Sequence, residues 1–584
     1  MGLSPKLSPA HGRDASERAA RPLVVVGLAL TALVYADTLR FEFVFDDNVQ
    51  ILHNPALGSW SSLPGFFTHH LWEFVASGGL GSFYRPIFMA WLLANYKLFG
   101  TDPAPWHATT VLVHLVATYL SYLLARRITA TAWTAAVAAV LFGLHPVHIE
   151  TAAWISGVGD SLYSAFVLGA FVCYLRRREM KTAAAYGWTA AGMLLFGMGL
   201  LSKEPAMLFP VLLVGYELLF PQRETGPGQR LRAAAVAVAP YMFVLLLYLV
   251  ERVRVLEGFA HGMTAVPWST KLLTWPSLLW FYVKHLVWPV GLSAFYETPY
   301  VFQARSWQFV APLLLVLVMA AAAIWAWRRS RSAAVGFALL LVAAPLAPAL
   351  RIETFQWGEL AHDRYLYLPV LGFTMLVAMA LEQIPAMGRQ LFGRPAGGVA
   401  AALLLASAYA AGSATQNVHW ANTLLLYARG AEIAPNNVHT LTPLADELFR
   451  RGRTEEALIV MRRMTELAPS DPDPTFLLGH RYYSLKQYTE AERYFIASIE
   501  RDPKMAAPNY FLGLTRIATG RVTEAEAPLR RAIELLPAGR GFHQALATVL
   551  EARGDRAGAR AELETELRND PENAEARAEL QKLR

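Results

Sequence analysis

A chain of 584 residues that is 55% apolar, 12% aromatic and only 17% charged is too long for one domain and too apolar for an ordinary soluble protein. Residues 416–584 hold 23 basic and 24 acidic side chains, whereas the preceding 415 residues hold 29 basic and 21 acidic ones, so the net +7 arises in the apolar part. That distribution excludes a nucleic-acid partner, whose positive counterpart belongs on a polar surface, and the single cysteine, Cys173, excludes an intrachain disulfide.

Crossing a bilayer as a helix takes roughly 20 mostly apolar residues. After an N-terminal segment 1–21, eleven runs are predicted to cross within residues 22–415, near 22–38, 107–125, 131–145, 161–175, 184–201, 206–220, 232–250, 309–327, 333–350, 366–383 and 397–415. Six basic clusters fall between alternate runs: Lys6, Arg13, Arg18 and Arg21; Arg126 and Arg127; Arg176, Arg177, Arg178 and Lys181; Arg223, Arg230 and Arg232; Arg328, Arg329 and Arg331; Arg389 and Arg394. Basic residues in short loops favour the cytoplasmic side, and eleven crossings put all six clusters there. The stretch 271–290 is long enough to span, but it contains Pro276, Lys284, His285 and Pro289 and would reverse the parity that follows. It reads as an interfacial or re-entrant helix; the alternative is that it spans and a shorter run does not. Val34-Tyr35-Ala36 also fits a secretory cleavage site, although an uncleaved first span is expected, and either way the segment from Asp37 is external.

In the tail, 416–584, Pro435, Pro469, Pro503, Pro537 and Pro571 fall 34 residues apart. At the same period come Leu444-Ala445, Leu478-Gly479, Leu512-Gly513 and Leu546-Ala547 on a first helix, and Ala457, Ala491, Ala525 and Ala559 on a second. Small residues let paired helices approach, and Met461, Phe495, Leu529 and Leu563 fill the remaining space. The pattern resembles the tetratricopeptide repeat, with repeats near 438–471, 472–505, 506–539 and 540–573, a half repeat before them and a capping helix after them. Such arrays bind extended peptide or protein segments.

Chemistry is sought on the external side. The longest loop, 38–106, opens FEFVFDDNVQILHNPAL and sets Asp46 and Asp47 among Phe41, Phe43 and Phe45 near the membrane surface. One carboxylate of such a pair can act as general base on a hydroxyl while the other binds substrate or metal; the plain alternative is a helix cap and solvated turn. Tyr84 and Arg85 follow, ahead of an amphipathic segment. The second external loop, LHPVHIETAAWISGVGDSLY, offers His145, His148, Glu150 and Asp160 as a hydrogen-bonding shell around the carboxylates or a bound sugar; zinc is a weaker reading because spacing fixes no third ligand. Lys203 and Glu204 end a span in LLSKEPAM, where pairing with each other is the structural alternative to binding substrate. Arg364, followed by Tyr365, precedes a span on the side where basic residues are disfavoured. Its compensation is either a lipid-linked phosphate, which a guanidinium binds bidentately, or pairing with Glu359 or Asp363.

Asp46-Asp47, HPVHIETAAWISGVGD, LSKEP, DRYLYLP and the terminal repeats, in this order, resemble the transmembrane-and-TPR O-mannosyltransferases, relatives of the protein O-mannosyltransferases in the GT-C superfamily. Two departures are Asp363, where that family often has Glu, and the short array. The resemblance implies an all-α fold, a polytopic GT-C-like membrane helix bundle of about eleven spans plus interfacial helices followed by a C-terminal TPR superhelix. It implies transfer of a sugar, expected to be mannose, from a polyprenyl-phosphate donor to an acceptor hydroxyl, expected on protein Ser or Thr, with inversion. Asp46 or Asp47 is the expected base, and Arg364 with Lys203 the donor-phosphate partners. No cofactor is required by this reading; a divalent metal is allowed but not favoured. The expected partners are the donor lipid, the bilayer and a protein or peptide in the repeat groove, with no nucleic acid. The short loops and Ala/Arg-rich composition point to a bacterial inner membrane with a periplasmic array, or the endoplasmic reticulum lumen side in a eukaryote. The alternatives are a non-catalytic TPR membrane scaffold for envelope assembly and a GT-C transferase acting on a glycan or lipid.

Overall fold

The computed structural model describes residues 10–74, 83–180, 182–222, 226–258, 265–355, 358–385, 390–391 and 394–583, with side chains from residue 20 onward. Lys6, Lys181, Arg223 and Arg389 of the basic clusters lie outside the described residues. The side chains of Arg13 and Arg18 do as well. Two compact units divide at Ala434/Pro435. The first contains α1 (Ala10–Val34), α2 (Pro86–Phe99), α3 (Pro103–Ile128), α4 (Ala132–Leu144), α5 (Ile149–Ala152), α6 (Val158–Glu179), α7 (Ala184–Leu200) and α8 (Phe209–Leu219). It continues with α9 (Pro227–Val255), α10 (Trp268–Val287), α11 (Trp307–Ser330), α12 (Ala333–Ala343), α13 (Pro369–Leu381), α14 (Ala396–Asn417) and α15 (Thr423–Ile433). Its described strands are the two-residue pair Gln390–Leu391 and Arg394–Pro395.

Each predicted span falls on a helix, but not all are full crossings. Among the described residues seven helices are long and apolar enough to cross a membrane, and Ala132–Leu144 with Pro146–Ala152 forms a further candidate bent by 50°. The bend follows from Pro146, which cannot donate into the helical ladder. Ala184–Leu200 and Pro369–Leu381 are shorter apolar helices, and α8 has 11 residues. A helix of that length rises about 16 Å, roughly half of a 30 Å hydrocarbon core. The protein is thus a multi-pass membrane protein whose bundle mixes full-length and broken helices.

Polar contacts sort the helix ends onto two faces. On one, Asn417 Nδ2 donates to Val34 O (3.1 Å), Lys203 pairs with Asp160, and Arg252 pairs with Glu204 (3.2 Å). On the other, Arg127 pairs with Glu179, Arg178 with Glu217 (3.2 Å) and Arg394 with Glu382 (2.9 Å). The second face carries Arg127, Arg178 and Arg394, members of three of the basic clusters, and is the face that the charge rule predicts to be cytoplasmic. The 20-residue α10 bonds to the first face's helix ends: Lys271 pairs with Glu353 (3.2 Å), Trp275 Nε1 donates to Leu350 O (2.8 Å), Ser277 Oγ to Gln308 O (2.7 Å), and His145 Nε2 to Leu286 O (3.1 Å). Bonds of this kind along its whole length lay α10 on that face.

The second unit is α16 (Val438–Arg450), α17 (Thr454–Leu467), α18 (Pro472–Ser484), α19 (Tyr488–Arg501), α20 (Ala506–Ala518), α21 (Glu526–Leu535), α22 (Phe542–Ala552), α23 (Arg556–Asn569) and α24 (Ala574–Lys582). Ala457, Ala491, Ala525 and Ala559 are fully buried, and a methyl group on Gly479 or Gly513 would lie 2.9 Å from Phe495 or 2.5 Å from Leu529. The close approach inferred from small residues is therefore real. Each helical hairpin turns through a left-handed residue, Gly452, Lys486, Gly520 and Gly554, with φ of 74°, 59°, 76° and 85°. Glycine suits this conformation, and Lys486 adopts it against side-chain sterics. Residues 416–434, which the sequence analysis joins to the array, pack within the first unit: Tyr427 stacks on Phe295 at 5.3 Å, and Arg429 Nε donates to Leu292 O (3.1 Å).

Candidate active site

The two adjacent carboxylates have different surroundings. Asp47 is completely buried; its Oδ1 accepts from Ser156 N (2.8 Å) and Ser156 Oγ (2.5 Å), and its Oδ2 from Val44 N (3.1 Å). Asp47 thus ties the first external loop to the second. Asp46 is half-buried, and among the described residues its side chain accepts one long bond, from Gln50 Nε2 (3.4 Å). Between the loop's entry and this pair stands Phe45 at φ 54°, a costly conformation for a bulky residue, with its ring packed 5.4 Å from Trp154 and 5.4 Å from Phe295.

Burial pushes Asp46 up to about 6, while the positive charges of Arg364 and Arg85 pull it back. Burial likewise pushes Asp47 up to about 7 against the bonds from Ser156 and Val44, with Asp46 adding repulsion. Asp46 therefore combines an accessible oxygen, a basicity near neutral pH and nearby cations, which is what a general base requires.

The cations are held by carboxylates from distant parts of the chain. Arg364 N donates to Glu150 Oε2 (2.8 Å) and its guanidinium pairs with Glu150 Oε1; Glu359 and Asp363, the sequence candidates for that role, are not the partners. Asp363 instead accepts from Tyr296 OH (2.5 Å). Lys203 and Glu204 do not pair with each other either. Lys203 pairs with Asp160, whereas Glu204 receives Arg85 Nε (3.1 Å) and NH2 (2.8 Å) together with Arg252 NH1 (3.2 Å). Neighbours in sequence point apart here because each finds a buried partner on another helix. Burial lowers Lys203 to about 8, with Arg85 and Arg364 adding to the fall and Asp160 opposing it. Glu204 is held down at about 2, where Arg85 and Arg252 outweigh its burial. Tyr365 stands between two of the cations, its ring 5.7 Å from Lys203 Nζ and 6.0 Å from the Arg364 guanidinium, which also lies 5.8 Å from Trp154.

The remaining sequence candidates bond to other parts of the bundle. Tyr84 OH donates to Phe67 O (3.0 Å) and its ring stacks on Tyr248. His145 accepts Val147 N on Nδ1 and faces Leu286 O, while His148 Nε2 faces Tyr367 O (3.2 Å) within a cluster of His114, Phe142 and Tyr367 rings. Neither histidine reaches the first-loop carboxylates through these bonds, so the expected shell is built by Ser156 instead. The two imidazoles have separate backbone partners, their centroids 6.1 Å apart, and among the described residues no group of three or more His, Cys, Asp or Glu converges on a metal position. Sequence reasoning missed Ser156, Trp154, Arg252 and Tyr296. The Trp-Ile-Ser run directly before the second-loop glycines was the available signal for the first two.

Fold and site together define an all-α, multi-pass membrane protein with an accessible carboxylate and a group of restrained cations on one face, joined to a helical repeat array. Residues 84–250 match the family described as dolichyl-phosphate-mannose-protein mannosyltransferase, and 476–540 match the tetratricopeptide repeat. Protein O-mannosyl-transferase TMTC3 of Homo sapiens is 24% identical over 558 residues, covering 88% of this chain and 60% of that protein. Protein O-mannosyl-transferase F38B6.6 of Caenorhabditis elegans is 24% identical over 441 residues, 74% of this chain and 61% of its own. Protein O-mannosyl-transferase Tmtc1 of Drosophila melanogaster reaches 32% over 181 residues, covering 31% of this chain and 21% of its own. The chain thus spans about three-fifths of the length of the first two relatives. The likeness read from the sequence to transmembrane-and-TPR O-mannosyltransferases is shown by these matches.

Proposed function

We propose that this protein is a membrane mannosyltransferase that moves the sugar of a polyprenyl-phosphate donor onto a Ser or Thr hydroxyl of a protein. The observation that carries the reading is the contrast within the acidic pair: Asp47 is consumed by three hydrogen bonds, and Asp46 keeps an accessible carboxylate under the influence of Arg364 and Arg85. Asp46 takes the proton of the acceptor hydroxyl as its oxygen attacks the anomeric carbon. The bond from that carbon to the donor phosphate breaks on the opposite face, its electron pair leaves with the phosphate, and the configuration inverts. Arg364 and Lys203 neutralise the departing phosphate, a stabilisation that grows as negative charge develops. Tyr365 and Trp154 offer ring faces suited to a sugar.

The lipid tail of the donor lies among the helices, and the repeat array carries the acceptor as an extended segment. The name of the matched family, dolichyl-phosphate-mannose-protein mannosyltransferase, supports this donor class. A bacterial inner membrane with a periplasmic array is the setting we assign, on the short loops and the Ala/Arg-rich composition; the last span ends beside the external end of the first, where Asn417 bonds Val34.

The test is transfer of radiolabelled mannose from polyprenyl-phosphate mannose by the purified chain, comparing wild type with Asp46→Asn. Label entering protein with wild type and not with the variant supports the reading. Equal labelling by both removes Asp46 as base. Label in the lipid or glycan fraction alone replaces the protein acceptor, and no donor binding at all favours the scaffold alternative.

A further inference from the structure

A second site lies at the opposite, cytoplasmic end of the bundle. Between α1, α3 and α6 opens a cavity of about 510 Å³ lined by Arg21, Arg126, Arg127 and Arg176 together with Tyr119 and Tyr122. Its remaining wall is aliphatic, from Val24, Val25, Leu123, Val172 and Leu175. No carboxylate stands among these lining residues. Arg127 and Arg176 both turn to the same acid, Glu179, with Arg176 at 3.6 Å, so their guanidiniums converge at one end of the cavity. The aliphatic side is open: Val25 is 65% exposed and Tyr119 46% exposed, on helices long and apolar enough to face lipid.

An occupant must therefore carry concentrated negative charge at one end and hydrocarbon at the other. We propose that this cavity binds the headgroup of an anionic phospholipid of the cytoplasmic leaflet, its acyl chains lying along Val25 and Tyr119. The four guanidiniums supply forked donors to phosphate oxygens, and the tyrosines present hydroxyls at the depth where headgroup meets hydrocarbon. A basic pocket between spanning helices on the cytoplasmic side is the setting in which such headgroups bind. A soluble phosphate would use the arginines but leave the open aliphatic wall in water, so the lipid is the occupant that satisfies both walls. The site lies at the other end of the helices from Asp46 and is independent of the chemistry proposed there.

The full-length protein, purified in a neutral detergent, is exposed to phosphatidylglycerol or phosphatidylcholine and the lipid retained per chain is counted by native mass spectrometry. Phosphatidylglycerol is expected to stay bound and phosphatidylcholine to be lost. The variant Arg21→Gln/Arg126→Gln/Arg176→Gln is expected to lower phosphatidylglycerol retention by at least about ten-fold, given the contribution of each basic residue near a charged headgroup. Arg328→Gln/Arg329→Gln, at the same end of α11, is expected to leave it unchanged. Val25→Trp, which fills the mouth from an exposed position and keeps every arginine, is expected to reduce retention as well; it answers the question if the triple variant fails to fold. Equal retention of both lipids, or retention unaffected by Val25→Trp, overturns the proposal, and displacement of phosphatidylglycerol by millimolar inorganic phosphate reassigns the site to free phosphate.

Discussion

Asp47 and Ser156 are joined by two hydrogen bonds, from the serine's backbone N–H at 2.8 Å and its hydroxyl at 2.5 Å, which fasten the first external loop to the second. An amide at position 47 retains one acceptor oxygen and turns an NH2 toward a donor. Asp47→Asn is thus expected to lower stability by about 1–3 kcal/mol, the cost of an unsatisfied buried group. Ser156→Ala should reproduce part of that loss, and a double-mutant cycle read by thermal unfolding in detergent should show the two changes to be strongly non-additive.

Asp46→Asn should behave in the opposite manner. Its carboxylate holds little in place, so unfolding should shift slightly, while mannose transfer falls by about 10²–10⁴, the range for loss of a general base. Activity near wild type in Asp46→Asn would require another base.

The pH profile of transfer should be bell-shaped. Asp46, pushed up to about 6, must lose its proton to act, so the rate rises as pH climbs through that value. Lys203, lowered to about 8, must keep its proton to hold phosphate, so the rate falls above that value. Lys203→Arg keeps its charge at every accessible pH and should abolish the alkaline limb while lowering the maximum, because a guanidinium does not fit an ammonium's place. Initial rates from pH 5 to 10 in both proteins check this.

Glu204 is 16% exposed between Arg85 and Arg252. Glu204→Gln removes the carboxylate that Arg85 and Arg252 share and is expected to cost about 3–5 kcal/mol. The carboxyl is held at about 2 when folded, below its ordinary value of 4.5. Its stabilisation is therefore complete above about 4.5 and is lost as pH falls from there toward 2. Acid unfolding of wild type should show this component, and Glu204→Gln should lack it.

In the array, Lys486→Gly is expected to raise stability by up to about 1 kcal/mol by removing side-chain crowding at φ 59°. Gly513→Ala should lower it: the helical gain of about 1 kcal/mol is outweighed by about 1–3 kcal/mol of overpacking against Leu529. Circular dichroism melts of residues 435–583 measure both.

The repeat array was legible because its period lies wholly in local sequence: prolines, alanines and hairpin turns recur every 34 positions. The spans were legible as apolar runs, but their lengths were not, since a run broken by Pro146 has the same composition as a straight one. The charged residues of the site, Arg252 apart, were visible in sequence, yet their pairing was not. Arg364 meets Glu150 across 214 positions and Arg85 meets Glu204 across 119. Neighbours such as Asp363 and Lys203 were the natural guesses, and tertiary packing turned each toward a different helix. The division between Asp46 and Asp47 likewise depends on Ser156, a residue with no charge or spacing to mark it.

Both cations of the proposed phosphate site already face a carboxylate, Arg364 with Glu150 and Lys203 with Asp160, and nearby Arg85 faces Glu204. An incoming phosphodiester brings one negative charge, whereas the phosphate monoester left after transfer carries closer to two. Against this background the spent carrier competes for the guanidinium and ammonium better than the loaded one does. If the proposed reaction holds, the expected rhythm of the cycle is a fast first turnover followed by a slower steady state governed by departure of the bare lipid phosphate.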